Sequence, residues 1–278
     1  MKKLIVIALV LIMVVAASVF GLTACDNSDT IVVYTEAGFA PFEYVSNGAI
    51  VGVDVDIMNL VGEKLGKKVV FENVNFDIIV DTVSAGKLCN VGAAGISITE
   101  DRAKYVDFST EYYTAALYVI YKVNDATSYE STTTDDVTGI YWDSLVGKKI
   151  AVQNGTTADL FLADELDEGG ILYDTGAKKV GCTALSTAVA NIGSGDADVV
   201  IIDELPAQQL IKNDPSLKCA PLYYQGEDGD ADEAAVDVYA ICVTKGQTEL
   251  LEAINAVIAE LGKEGIQALV NQHLGLGD

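Results

Sequence analysis

The stretch "AAGISITEDRAKYVDFST", residues 93–110, decides how the chain is read. An apolar, glycine-broken strand runs into a helix start. Thr99 reads as the N-cap, and Glu100 and Asp101 fill the first turn, where the positive end of the helix dipole favours acids. Arg102 falls in that same turn, where a cation works against the dipole. Its placement points to an anion held between the guanidinium and the free N–H groups.

Outward from this stretch the chain alternates short β-rich runs with amphipathic segments. Upstream, "TIVVYTE" (30–36) and "KKVVFENV" (67–74) read as strands, and "VDVDIMNLVGEKLG" (53–66) as a helix ended by Gly66. "DIIVDTVSAGKL" (77–88) reads as a helix, "NVGAAGISI" (90–98) as a strand and "TAALYVIYKV" (114–123) as a long β-rich run. A polar stretch at 124–139 interrupts the pattern. A second cycle follows in "KKIAVQ", "TADLFLADEL", "ILYD" (171–174), "ALSTAVANIGSG", "ADVVIID" (197–203) and "ELPAQQLIK". The acidic strip "QGEDGDADEAAVD" (225–237) separates it from "VYAICVT" and one terminal helix over 249–275. Two α/β units divided by polar strips predict two lobes with a cleft, because open parallel sheets bind ligands outside the carboxyl ends of their strands.

The chain opens "MKKLIVIALVLIMVVAASVFGLTAC", two lysines before an unbroken apolar run. This reads as an export signal over 1–24, although the run is also long enough for an uncleaved anchor. "LTAC" resembles the lipobox of bacterial lipoproteins, which implies cleavage before Cys25, a lipid on that cysteine and a short tether over 25–29. Either reading places residues 26–278 outside the cytoplasm. Loss of the leader removes two lysines and no acids, leaving 15 basic against 41 acidic side chains, a balance of −26. That balance argues against nucleic acid and against anionic lipid surfaces as partners. Cys89, Cys182, Cys219 and Cys242 have no CxxC spacing, so no metal site is expected. They are compatible with one or two disulfides or with buried thiols.

Three sites fall at predicted strand ends. In "GISITEDR", Gly95 lets backbone approach closely, Ser97 and Thr99 offer hydroxyls, and Arg102 offers a bidentate cation. In "AVQNGTTADLF", a turn at Gly155 leads into Thr156 and Thr157 at a helix start. Asp203 leaves the apolar strand "ADVVIID" as a carboxylate able to meet a ligand cation. Two anion-seeking helix starts and one acid match a zwitterion. Singly, each has a plainer reading: Arg102 paired with a neighbouring acid, an ordinary turn at Gly155, Asp203 capping the next helix.

The chain from about Thr30 to its end resembles the extracytoplasmic solute-binding proteins of amino-acid ABC transporters, family 3. "FAPFEY", "GVDVDIMNLVGEKLG", "AGISITEDRAKYVDFSTEYY", "GKKIAVQNGTT", "ADVVIIDELPA" and "ELLEAINAVIAELGKEG" carry the resemblance in order and spacing. It implies a type II periplasmic-binding-protein fold, α/β and two-lobed, each lobe a mainly parallel sheet flanked by helices and joined by two crossover hinge segments. Lobe 1 would comprise 30–121 and 236–278, and lobe 2 would comprise 122–235. Arg102 with Thr99 or Thr157 would hold the α-carboxylate of a free amino acid, and Asp203 with Gly95 and Ser97 the α-ammonium. Phe39 would stack on the ligand side chain. The implied partners are that amino acid and the permease subunits of an importer, with the chain a monomer and no cofactor.

Glu36, at the end of the first strand, is placed to reach the side-chain end of such a pocket, with Gln153 and Asp77 adding polar contacts. A carboxylate there favours a basic or amide-bearing ligand. Two other functions share the fold: a chemosensory binding module and a dehydratase-type enzyme. The enzyme finds little in these residues. His273 is the only histidine, expected to face solvent or cap a helix, and no GxSxG or HExxH motif occurs.

Overall fold

The computed structural model describes residues 29–226 and 230–276. The leader at 1–24, Cys25 and most of the tether lie outside the described residues.

Two mixed sheets form the two lobes. The first is five-stranded, in the order Lys68–Asn73, Thr30–Thr35, Val91–Gly92, Cys242–Thr244, Val106–Phe108. Its first three strands are parallel, as right-handed βαβ crossovers require, while Cys242–Thr244 returns antiparallel to both neighbours. The second sheet places Val199–Asp203 between parallel Lys149–Gln153 and the antiparallel long strand Tyr113–Lys122. The expected parallel order therefore holds within each βαβ unit, and the strands that travel between sheets run against it. Residues 117–122 of the long strand pair inside the second sheet, whereas its first residues pair with Val236–Tyr239 in a two-stranded ribbon between the lobes.

Helix Val53–Leu65 follows from its apolar spacing: Val53, Ile57, Met58 and Val61 are fully buried, and Gly66 in the left-handed region closes it. Its apolar face shares one core with Ile254, Val257 and Ile258 of the C-terminal helix. The C-terminal segment Thr248–Leu274 is two helices, not the single expected one. Gly262, with φ of 58° and ψ of −176°, takes backbone angles outside the helical region and kinks the chain there. In the second lobe Trp142, Leu117, Ile150 and Val199 centre a separate core.

Three expectations fail locally. "NVGAAGISI" contributes only Val91–Gly92 to the sheet, because Gly95 turns the chain toward the other lobe. "ILYD" is a turn anchored by buried Leu172, and the strand of that cycle is Lys178–Cys182. That strand is an edge with a largely exposed pattern, so no apolar periodicity announces it. The polar stretch 124–139 is not a bare linker: it holds a short helix, Ala126–Tyr129, and buries Tyr129. All four cysteines among the described residues are free thiols.

His273 does not face solvent. Its Nε2 lies 2.8 Å from Asp56 Oδ2 and its Nδ1 3.2 Å from the Tyr44 hydroxyl, tying the chain's last helix to the first-lobe helix and hairpin. His273→Ala is expected to lower stability to urea by about 1–2 kcal/mol, the worth of two partly buried hydrogen bonds. An unchanged unfolding midpoint would show the tie to be idle.

Candidate functional site

A small pocket, with a cavity volume of about 20 Å³, lies between the lobes. The first lobe lines it with Glu36, Phe39, Glu43, Phe76, Ala94, Gly95 and Ser97, the second with Gln153, Thr156, Thr157 and Asp203. Several of these groups sit at a strand end or a helix start. Glu36 follows the strand Thr30–Thr35, Gln153 ends its strand, Asp203 ends Val199–Asp203, and Thr156 caps the helix Thr157–Leu166 by accepting from Asp159 N–H at 3.3 Å.

Gly95 is the pivot of the first-lobe wall. Its φ is 53°, and a Cβ there would meet the Phe39 ring at 2.7 Å, so only glycine lets the aromatic lie against the turn. The Gly95 N–H donates to Asp54 Oδ2 at 3.0 Å, and the Tyr112 hydroxyl donates to Asp54 Oδ1 at 2.5 Å. Burial raises the Asp54 carboxyl to about 6, against the opposing pull of these two hydrogen bonds.

Across the cleft, Ser97 Oγ donates to Asp237 Oδ2 at 2.6 Å, and the Thr157 hydroxyl donates to the same oxygen. Arg102 stands beside them. Its guanidinium donates to the Ser97 carbonyl at 2.6 Å and to the Gly155 carbonyl at 2.7 Å, so it joins the first lobe to the second. The Phe76 ring lies 5.6 Å from the guanidinium carbon.

The lining carries three carboxylates and, among the described residues, no cationic side chain. Glu36 Oε2, both oxygens of Glu43 and Asp203 Oδ1 are buried without a hydrogen-bond partner. Desolvation pushes Glu43 and Asp203 well above the usual carboxylate range and raises Glu36, and neighbouring acids add to it at Glu43 and Asp203. No group of side chains among the described residues could hold a metal ion.

Of the residues singled out from sequence, Glu36, Phe39, Gly95, Ser97, Gln153, Thr156, Thr157 and Asp203 meet in this pocket. Thr99 does not: its hydroxyl accepts from the Arg102 N–H at 3.1 Å and caps the short helix Glu100–Ala103. Arg102 lies outside the lining, and Asp77 packs against Gly155 in a neighbouring surface hollow. Glu43, Phe76, Asp54 and Asp237 went unseen. Glu43 sits inside "FAPFEY" with nothing to mark it as buried, and Asp237 closes an acidic strip where one more acid carries no signal.

Residues 31–275 match the model of the bacterial extracellular solute-binding proteins, family 3. The chain belongs to that family. This solute-binding protein is 26% identical to the arginine-binding extracellular protein ArtP of Bacillus subtilis, over 92% of each chain. Its fold is similar to an ancestral arginine-binding protein bound to arginine, with a TM-score of 0.71 and 32% identity over 88% of this chain and 97% of that one. It is also similar to the amino acid ABC transporter substrate-binding protein AbpA of Streptococcus pneumoniae bound to L-arginine, with a TM-score of 0.72 and 27% identity over 92% and 98%.

Two outcomes are expected of this solute-binding protein. Gly95→Ala displaces Phe39 and weakens any cleft ligand by at least about tenfold in calorimetry, equivalent to roughly 1.4 kcal/mol. Asp54, with its folded value raised from 3.8 to about 6, binds its proton more tightly in the native state. Its contribution is therefore full below pH 4 and fades as the pH rises through 6. Relative to Asp54→Asn, the wild type should lose on the order of 2–3 kcal/mol between pH 4 and pH 7 in urea unfolding. A difference constant across that range would refute the assignment.

Proposed function

We propose that this protein binds a free basic amino acid, with arginine the leading candidate, and delivers it to the permease subunits of an ABC importer. The observation that carries this reading is the lining: Glu36, Glu43 and Asp203 present buried, unpartnered oxygens and no cation answers them. A ligand bringing positive charge satisfies groups that are costly to leave alone. An acidic ligand would add to the repulsion. The names of the similar proteins, which bind arginine, point the same way.

Asp203 receives the α-ammonium, Phe39 and Phe76 flank the aliphatic stem, and Glu36 and Glu43 with Gln153 receive the side-chain cation. Ser97 and Thr157, with the charge of Arg102 beside them, form the end that favours an anion. The lobes turn about the ribbon of residues 113–116 and 236–239, which moves the first crossing a few residues earlier than 121. Closure brings Ser97 to Thr157 and lets Arg102 clasp the Gly155 carbonyl, a shape that membrane subunits can read. The protein works as a monomer, exported by its leader and held at the membrane by a lipid on Cys25. It binds without turnover, a reading supported by the only histidine, His273, standing outside the pocket lining and tied to Asp56 and Tyr44.

Because burial favours the protonated form of Glu43 and Asp203 and a ligand cation favours the ionised form, binding should release protons and tighten as the pH rises. Calorimetry of arginine in buffers of different ionisation enthalpy reads this directly, and net proton uptake would count against these acids as the receptor. A melting-temperature screen over the amino acids should show a rise with arginine, lysine or ornithine and none with aspartate or glutamate. Asp203→Asn should weaken the basic ligand on the order of 100-fold.

A further inference from the structure

The two hydroxyls that face a ligand anion already hold one. Ser97 Oγ, from the first lobe, and the Thr157 hydroxyl, from the second, both donate to Oδ2 of Asp237, at 2.6 Å in the case of Ser97. Asp237 arrives on the crossing strand Val236–Tyr239, paired opposite Ala115, and that strand is pinned to the site where Ser97 bridges Tyr239. Burial raises the Asp237 carboxyl, and the two hydroxyls and the positive charge of Arg102 pull against that rise. Hydroxyl, hydroxyl and guanidinium are the groups an α-carboxylate would be expected to meet. Here a side chain of the protein meets both hydroxyls and feels the charge of the guanidinium.

The second oxygen, Asp237 Oδ1, is buried and unpartnered, as is Asp203 Oδ1, and Asp203 feels the charge of Asp237. Asp203 lines the pocket, Asp237 bonds the lining residues Ser97 and Thr157, and the two acids together suit an ammonium group. Glu36 and Glu43, also with unpartnered oxygens, suit a second cation at the other end. A basic amino acid brings two cations and an anion, and its anion would have to displace Asp237 or lie against it. The corresponding amine, which lacks the carboxylate, brings the two cations alone.

We propose that Asp237 is a built-in carboxylate standing where a ligand's α-carboxylate would bind, so that the cleft takes α,ω-dicationic amines such as agmatine at least as well as the parent amino acid. This inference rests on the cleft being the ligand site, as proposed above. Like charges brought together are a means of rejection, and the carboxylate of arginine would meet one at Asp237.

Titration calorimetry of the purified protein with arginine against agmatine, and lysine against cadaverine, tests it, since each pair differs only in the α-carboxylate. Agmatine should bind as tightly as arginine or more so. Asp237→Asn and Asp237→Ala should weaken agmatine and strengthen arginine, moving the preference on the order of 100-fold toward the amino acid. The melting temperature of each unliganded variant reports that it has folded. Wild-type binding of arginine more than tenfold tighter than agmatine would overturn the proposal while leaving the amino-acid reading intact. So would a preference that does not move in a folded Asp237 variant. Binding of none of these four compounds would overturn both.

Discussion

The guanidinium of Arg102 is the interaction on which the arrangement of the cleft depends. It reaches the carbonyl of Ser97 in its own lobe and that of Gly155 in the other, and a planar fork of donors suits two fixed acceptors better than a single ammonium would. Because Arg102 is largely buried, its charge is screened little by solvent and is felt by Asp237 across the hydroxyls of Ser97 and Thr157. The relative position of the two lobes, the height of the pocket and the state of the anion-favouring end therefore vary together. A change at this one side chain alters all three.

Around this cation the chain concentrates acids. The surface excess of negative charge is a general property of the sequence, but Glu43, Asp54 and Asp203 are a separate population, removed from water, with half-buried Asp237 beside Asp203. Asp54 is satisfied by Gly95 and Tyr112 and serves the backbone turn. Glu43 and Asp203 are left with buried oxygens that no hydrogen bond satisfies. The division follows from placement: one acid props the wall and the others face the space that it encloses.

Much of this was legible beforehand. The helix at Val53–Leu65, the N-caps at Thr99 and Thr156 and the strand ending in Asp203 follow from local rules of periodicity and capping, and these act over a few residues. Seven of the residues chosen by motif and strand-end logic meet in the pocket because open α/β sheets bring strand ends to one edge, and Phe39, placed by the family resemblance, joins them. Thr99 was placed on the right helix but turned to its own backbone, since a capping hydroxyl cannot serve both purposes.

By itself, the sequence determined the family, the α/β alternation, the charge and the identity of the residues at each strand end, because these are properties of short segments and their order. Only the tertiary structure decided which acids are buried, that Arg102 bridges the lobes, and that Asp237 occupies the hydroxyl pair of Ser97 and Thr157. Burial and pairing here join residues 60 to 140 positions apart, as in the contacts of Ser97 with Thr157 and Asp237. No local pattern in an acid-rich chain distinguishes a carboxylate that will face water from one that will face a ligand. The difference is made by what folds over it.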